Sequence, residues 1–290
     1  MELVDLVDEE VNGYVAPVSD PLPSPEPSHV LSLLALTSEG QVIMDYSNPL
    51  LRYPRYLARK SGILGLLERT SKKLSSAGYE ERLAQIMFAH ICPGDVVWDV
   101  GANHGYYTTK FANAVGASGI VVAFEPDHPI FESLTNSIGV RKNVRLENSA
   151  LGDSDGKAEL YVSAEQGCDY DIYQLAPIKD NPQLKSVSQV SVVKGDTYRN
   201  AHPELAPNRI KIDVEGFEYE VLLGLSETLK SRQLLSVFIE MHFTCLRERG
   251  FPDTPAKIIT LLKANGFQTK WAGPCHLVAS RSDDGRPERG

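Results

Sequence analysis

The sequence has few cysteines, no long apolar run and little clustered positive charge, and each shortage excludes a class of protein. None of its four cysteines forms a Cys-x-x-Cys pair, and the adjacent Cys275 and His276 are poorly spaced to share one metal ion. Free thiols are typical of a reducing compartment. No apolar stretch approaches the roughly 18–20 residues that a membrane span needs, and residues 1–10 are acidic where a signal peptide would be apolar. We therefore predict a cytoplasmic protein without a membrane span.

Positive charge is also scarce. The 38 acidic residues outnumber the 29 lysines and arginines, so the formal net charge is -9, and the one small basic group lies within residues 52–60. An acidic surface repels phosphate backbones, so no nucleic-acid partner is predicted. Hydrophobic residues make up 42% of the chain, an ordinary share that allows a full core to be buried.

Composition divides the chain into four parts. Residues 1–30 contain seven acids and five prolines but no lysine or arginine, which predicts a flexible arm. Residues 31–78 carry scattered apolar clusters and are interpreted as a lid or extension. A regular strand and helix pattern occupies residues 79–281 and predicts one α/β domain. Residues 282–290 are predicted to be a flexible tail.

Strand patterns alternate with helical patterns through this α/β domain. The predicted core strands cover residues 96–100, 119–124, 144–151, 209–214 and 234–241, and the longest later helices cover 217–229 and 256–264. Asp155-Gly156 predicts a hairpin between residue 151 and the run 158–162, and residues 267–279 predict a closing antiparallel hairpin. The fold class is therefore a doubly wound, mostly parallel α/β sheet, whose ligands bind outside the carboxyl ends of the strands.

A glycine-containing loop follows the first predicted strand. Asp99 precedes the first glycine on the strand itself, which differs from the GxGxxG loop that holds a pyrophosphate. A carboxylate there suits a ligand with a cationic amino-acid end, such as S-adenosylmethionine, and the glycines let the backbone approach that ligand. The candidate cofactor contacts in this loop are Gly101, Ala102, Asn103 and Gly105.

The next two strands also end in polar residues. Glu125 follows the second strand, 24 residues after Gly101, where an acid can accept hydrogen bonds from both ribose hydroxyls. Asn148 and Ala150, at the end of the third strand, are candidates for the adenine edge and ring. A turn-capping role for Asn148 or Asp153 is an equal alternative.

Two further clusters end the fourth and fifth strands, and they supply the candidate catalytic residues Asp213, Glu215, Glu240 and His242. Lys211 shares one side of the extended segment with Asp213 and Glu215. Methyl transfer to a hydroxyl needs a base, and Asp213, Glu215 and His242 are the candidates. Asp213 is also predicted to contact the cofactor. The structural alternatives are a salt bridge from Asp213 to Lys211, a helix-start acid at Glu215 and a packed loop histidine.

A divalent metal site built from these carboxylates and His242 is an alternative that the sequence leaves open. The spacing is not diagnostic, so no metal is predicted.

Five strings in order resemble the FkbM family of S-adenosylmethionine-dependent methyltransferases: DVGANHGYYT (99–108), AFEPD (123–127), NSALGD (148–153), KIDVEGFEYEVLLG (211–224) and IEMH (239–242). The resemblance covers about residues 79–280, and KIDVEG followed by a helix and IE-x-H is its most specific part.

This resemblance implies a class I, Rossmann-like methyltransferase fold that binds S-adenosyl-L-methionine in residues 79–281. It also implies O-methylation of secondary metabolites, sugars or glycans, so a small-molecule or glycan acceptor is expected. The implied cofactor contacts are Asp99, Gly101, Asn103, Gly105 and Glu125. The implied residues of the reaction crevice are Asp213, Glu215, Glu240 and His242.

Three alternatives to O-methylation stay open. The target can be a nitrogen or a protein side chain, or the chain can be a non-catalytic S-adenosylmethionine-binding module. A nicotinamide-dependent oxidoreductase is disfavoured by Asp99 and by the absent GxGxxG. Residues 168–173 are predicted to face substrate, since long loops in compact domains are usually functional, and His104 faces either substrate or solvent.

Overall fold

The computed structural model describes residues 35–36, 42–43, 84–163, 172–175 and 185–282. The chain divides into two units, residues 1–45 and 46–290. In the first, strand β1 (Ala35–Leu36) pairs antiparallel with β2 (Val42–Ile43). The predicted arm 1–30, most of the predicted extension 31–78, the loop residues 168–171 and the tail beyond 282 lie outside the described residues.

The described residues of the second unit form two sheets. Its strands are β3 (Val96–Val100), β4 (Ile120–Phe124), β5 (Val144–Glu147), β6 (Ala150–Gly152), β7 (Gly156–Ser163), β8 (Ile172–Gln174), β9 (Lys185–Lys194), β10 (Arg209–Ile212), β11 (Ser236–Glu240), β12 (Gln268–Trp271) and β13 (His276–Ser280). The main sheet has the order β12-β13-β11-β10-β3-β4-β5. Strands β11, β10, β3, β4 and β5 are parallel, and β13 is antiparallel to β11 and β12. The predicted doubly wound sheet with a C-terminal antiparallel hairpin is therefore confirmed.

Helices cover both faces of the main sheet. They are α1 (Tyr106–Val115), α2 (His128–Ile138), α3 (Gly195–Ala201), α4 (Glu218–Leu223), α5 (Ser226–Lys230), α6 (Phe243–Glu248) and α7 (Thr254–Ala264), with a further helical segment over residues 84–88. Because both faces are covered, the central strands are apolar on both sides. On one face of the main sheet, Trp98 and Phe124 pack with α4, α5 and α7 in one core cluster. On the other face, Phe111 and Phe238 belong to a second cluster. No helix in the described ranges is long and apolar enough to cross a membrane.

The connection after the third core strand differs from its prediction. The run 144–151 forms two strands in different sheets, because β6 leaves the main sheet and pairs in parallel with β9. The predicted Asp155-Gly156 hairpin is wrong, since β9 lies between β6 and β7. The Asp155 carboxylate instead accepts hydrogen bonds from the Lys194 amide and the Thr197 hydroxyl at the start of α3.

The predicted helix 217–229 is two helices, α4 and α5. The N-terminus of α5 is capped by Asp196 from α3, whose carboxylate accepts hydrogen bonds from the amides of Glu227 and Thr228, each at 2.8 Å. A side chain that caps free amides stabilises a new helix start. Asp196 lies about 30 residues earlier in the chain than the amides that it caps, so the local sequence around α5 does not predict this cap.

Candidate active site at the carboxyl ends of the strands

The loop between β3 and α1 lies where the chain connections diverge to opposite sides of the sheet, since β4 and β10 flank β3. The amides of Gly101 and Ala102 both donate to the Phe124 carbonyl of β4, at 3.1 and 3.0 Å. Gly101, Asn103 and Gly105 all have left-handed backbones, with φ of 79°, 49° and 81°. Such a switch point is where open α/β sheets bind ligands.

The glycines of this loop are required by the packing of the protein itself. A Cβ at Gly101 would lie 1.9 Å from the Asp213 carbonyl oxygen, and one at Gly105 would lie 2.5 Å from Leu134 Cδ1. From the sequence, these glycines were predicted to let a ligand approach the backbone. The structure gives a different reason, because the loop must press against the end of β10 and against α2.

Glu125 lies directly behind the loop and is almost fully buried. Its carboxylate accepts hydrogen bonds from the amides of Asn103 (2.8 Å) and Asp127 (2.9 Å), one on each oxygen. Burial raises the pKa of this carboxyl to about 7, although both backbone hydrogen bonds oppose the rise. Each oxygen keeps a further lone pair for another donor.

Asn148 and Ala150 occupy the ends of β5 and β6. The Asn148 amide nitrogen donates to the carbonyls of Glu125 (2.9 Å) and Pro126 (3.2 Å). The structural alternative for Asn148 is therefore supported, since its donor group ties two strand ends together. Ala150 is buried, whereas His104 is exposed at the rim of the loop.

A buried lysine connects this loop to the end of β10. Lys211 Nζ donates to the Gly101 carbonyl at 3.0 Å and lies 3.3 Å from both Asp99 Oδ1 and Asp213 Oδ2. Burial would lower the pKa of Lys211, but Asp213 and Asp99 outweigh burial and raise it. Asp99 itself is fully buried and also accepts a hydrogen bond from the Thr108 hydroxyl. The cation that Asp99 faces is thus a lysine of the protein, in the place that the sequence argument gave to the ligand.

The predicted crevice residues after β10 and β11 converge on one imidazole ring. His242 Nε2 lies 3.5 Å from Asp213 Oδ1 and 3.1 Å from Glu215 Oε2. On the other side of the ring, Nδ1 lies 2.7 Å from Glu218 Oε1. We call these four residues, Asp213, Glu215, Glu218 and His242, the His242 cluster.

Glu218 is the member that the sequence argument missed. It begins α4, its side chain has no exposed surface, and Oε1 also accepts the Gly216 amide. A helix-start acid is ordinarily a solvated residue favoured by the helix dipole. Its position three residues after Glu215 is the feature of the sequence that could have placed Glu218 in the same cluster.

The acids of the His242 cluster share a partly enclosed space. Burial raises the pKa of Glu215 to about 7 against the opposing effect of His242. Burial would lower the pKa of His242, but the facing carboxylates, Glu215 first, raise it well above its ordinary value. Glu215 also has a left-handed backbone, with φ of 49°, an uncommon conformation for a residue with a side chain.

The fourth predicted catalytic residue belongs to a different group. Glu240 Oε2 lies 3.1 Å from His276 Nε2, while Cys275 Sγ lies 3.4 Å from Nδ1 of the same ring. Burial opposes ionisation of Glu240, yet the hydrogen bond and charge of His276 lower its pKa to about 2. We call Glu240, Cys275 and His276 the His276 cluster. Glu240 therefore contacts His276 and Cys275 directly, while its charge still acts on Glu215 and His242.

The polar groups at the loop fit the chemistry of S-adenosylmethionine. Glu125 retains acceptor sites for hydroxyl groups, and the loop residues Asn103 and His104 are exposed beside it. A carboxylate in this position holds a ribose in nucleotide-binding sheets, and no basic side chain of the loop calls for a pyrophosphate.

Comparison with known proteins identifies the family of the chain. The sequence profile described as "Methyltransferase FkbM domain" matches residues 99–269. A hexuronic acid methyltransferase, AglP, of Haloferax volcanii is 28% identical over 168 residues, which cover 56% of this chain and 62% of that protein. Ribosomal RNA small subunit methyltransferase A of Moorella thermoacetica is 31% identical over 90 residues, 31% of this chain and 30% of that protein.

A solved structure of methyltransferase FkbM from Methylobacillus flagellatus is 13% identical, with a TM-score of 0.41, and covers 67% of this chain and 47% of that one. The chain thus spans less than two thirds of the length of each of these three proteins. The profile match, however, covers more than half of the 290 residues and includes both sides of the site. The chain belongs to the FkbM family of methyltransferases, whose cofactor is S-adenosylmethionine.

Proposed function

We propose that this chain transfers a methyl group from S-adenosylmethionine to a hydroxyl oxygen of a sugar or related small molecule. The observation that carries the proposal is the His242 cluster, in which Nε2 of one histidine faces Asp213 and Glu215. An imidazole and two carboxylates at one point are groups that orient a hydroxyl and take its proton.

The cofactor side of the proposal rests on the loop and on the ends of the neighbouring strands. Glu125 accepts hydrogen bonds from the ribose hydroxyls, and the backbone of the loop supports the amino-acid end. Asp99 acts through Lys211, which holds the loop against β10. The residues assigned to the cofactor side are Asp99, Gly101, Ala102, Asn103, Gly105, Glu125, Asn148, Ala150 and Asp213.

The reaction side requires one proton transfer by the protein. Asp213, Glu215 and His242 hold the acceptor hydroxyl and remove its proton as the new O–C bond forms. Bound S-adenosylmethionine supplies the methyl group from its sulfonium sulfur, which keeps the electron pair of the broken C–S bond. Glu240 supports this side from the His276 cluster.

The acceptor class is proposed from the relative and from the chemistry of the cluster. AglP is named a hexuronic acid methyltransferase, and the candidate bases of this chain suit a hydroxyl, which must lose a proton during transfer. We therefore propose a hydroxylated sugar, in particular a uronic acid or its glycan, as the acceptor.

The test has two stages. Calorimetric titration with S-adenosylhomocysteine, with NAD as the control, measures cofactor binding, and binding of the first alone is expected. Isotope-labelled S-adenosylmethionine is then supplied with uronic acids, neutral sugars, hydroxylated metabolites and amines. Label in a uronic acid or sugar ether supports the proposal. Label only in amines, or cofactor binding without transfer to any acceptor, contradicts it.

A further inference from the structure

We propose that the His242 cluster is a divalent-cation site, with Asp213 Oδ1, Glu215 Oε2 and His242 Nε2 as its three protein ligands. This inference rests on the proposed function and deepens it, because the cation would hold the acceptor oxygen. The three ligand atoms lie within 4.8 Å of one another.

The distances within the cluster suit a common ion. Nε2 lies 3.1 Å from the Glu215 oxygen and 3.5 Å from the Asp213 oxygen. Neighbouring ligands bound to one divalent ion at about 2.0–2.2 Å are roughly 3.0–3.5 Å apart. Two ligand–ligand distances of the cluster therefore already match those around one ion, and the third, between the two carboxylate oxygens, is at most 4.8 Å.

The histidine is already oriented as a ligand. Glu218 Oε1 lies 2.7 Å from Nδ1 and occupies that side of the ring. Nε2, on the other side, faces Asp213 and Glu215 and is therefore the nitrogen available to an ion. A carboxylate behind a histidine is the arrangement that fixes metal-binding imidazoles in proteins.

The charge balance of the cluster also calls for a cation. Asp213, Glu215 and Glu218 surround one imidazole, and the nearby Lys211 is shared between Asp213 and the buried Asp99. Like charges in a partly buried space are unfavourable unless a cation offsets them. A uronate acceptor would add another carboxylate, so the proposed substrate increases this need.

The His276 cluster shows why proximity alone is insufficient. Its ligand atoms also lie within 4.8 Å of one another, but Glu240 faces Nε2 of His276 while Cys275 faces Nδ1. Cys275 Sγ also lies 3.6 Å from Glu240 Oε1, so the three groups contact one another, with the carboxylate and the thiol at different nitrogens of the ring. In the His242 cluster, both ligand carboxylates face the same nitrogen.

The ligand set indicates the class of ion. Two carboxylates and one imidazole, without a thiolate, suit a hard or borderline ion such as Mn²⁺. Asp213 and Glu215 are partly exposed, so coordination positions stay open for water or for acceptor oxygens, as in catalytic metal sites. A hydroxyl bound there becomes more acidic, which favours its deprotonation.

Titration of the chelator-treated full chain with Mn²⁺, followed by the electron paramagnetic resonance signal of the free ion, tests the proposal. We expect one Mn²⁺ per wild-type chain. Glu215→Gln should weaken binding about tenfold or more, and the positioning variant Glu218→Gln about 10–100-fold. His276→Gln is the matched control and should leave affinity unchanged. A nitrogen hyperfine coupling should be present in the wild type and lost in His242→Gln.

Calorimetry with S-adenosylhomocysteine on the same samples checks that each variant is folded and tests the cofactor site separately. The metal proposal is overturned if the wild type binds no stoichiometric Mn²⁺ below about 1 mM, or if Glu215→Gln and His276→Gln bind alike. Full methyl transfer in excess chelator also overturns it, while leaving the proposed function intact. Mn²⁺ binding without S-adenosylhomocysteine binding supports the metal site and contradicts the proposed function.

Discussion

The acidic side chains on the two sides of the site have different kinds of partners. On the loop side, defined as residues 99–105 and Glu125, Asp99 faces a buried lysine and Glu125 faces two backbone amides. On the other side, Asp213 and Glu215 face the single imidazole of His242. The loop side is closed by the protein's own groups, whereas the His242 cluster keeps an excess of acids near open space. We infer that the loop side holds the cofactor in a preformed frame and that the His242 cluster binds the proposed cation and the acceptor.

Substitution of His242 should give the largest effect, and it should act on one side of the site only. His242→Ala should lower turnover by ~10²–10⁴, the usual contribution of a group that moves a proton or fixes the hydroxyl. The affinity for S-adenosylhomocysteine should stay nearly unchanged, because the ring faces Asp213 and Glu215 rather than the loop. Steady-state kinetics with calorimetry measures both quantities. Full activity of the variant would remove His242 from the mechanism.

Lys211 joins the two sides, and its loss should appear as instability. Lys211→Met leaves the buried Asp99 without its cation, which typically costs about 3–5 kcal/mol in the free energy of unfolding. Lys230→Met is the matched control, since its ion pair with Glu227 is well exposed and should contribute about 0–1 kcal/mol. Urea unfolding of both variants measures the difference. Equal losses would mean that Lys211 is not a structural bridge.

Glu125 should affect cofactor affinity without affecting the His242 cluster. Glu125→Ala should weaken S-adenosylhomocysteine binding by about 1–3 kcal/mol, the range for hydrogen bonds to a charged group. The control is Glu132→Ala, because that acid is exposed on α2. Calorimetric titration distinguishes the two variants. An unchanged affinity in Glu125→Ala would show that the ribose assignment is wrong.

The raised pKa of Glu125 also predicts a pH dependence of stability. The Glu125 carboxyl has a pKa of about 7 in the folded protein and 4.5 in the unfolded chain. The unfolded chain therefore loses this proton first, and the free energy of unfolding falls as the pH rises between these two values. In Glu125→Gln this dependence is absent. The variant should therefore gain up to about 3 kcal/mol relative to the wild type between pH 4.5 and 8. Urea unfolding at several pH values measures the relative change, and a constant difference would exclude the raised pKa.

The sequence predicted the features that depend on neighbouring residues. The apolar runs at β3, β4, β10 and β11 predicted the parallel strands, and the glycines predicted the sharp turn after β3. Asp127 precedes α2 and caps it, since its side chain accepts the Ile130 amide at 3.0 Å. Hydrophobic periodicity and capping act within a few residues, so the pattern itself contains this information.

The elements that were missed or wrong depend on partners far along the chain. The predicted hairpin at Asp155 failed because β9 enters between β6 and β7. The break between α4 and α5 depends on Asp196, a cap from another helix. Neither strand insertion nor a long-range cap leaves a local signature, since each becomes favourable only after the chain has folded.

The sequence predicts that acidic and polar residues end consecutive strands, and therefore that they lie at one edge of the sheet. The partner of each acid depends on the folded chain: Lys211 for Asp99, backbone amides for Glu125, and His242 for Asp213, Glu215 and Glu218. The tertiary structure also gave Glu240 a direct partner, His276, that is different from the partners of His242. The physical reason is that alternate residues of a strand and the turn after it project in different directions, and electrostatic partners act over a few ångströms of space rather than of sequence.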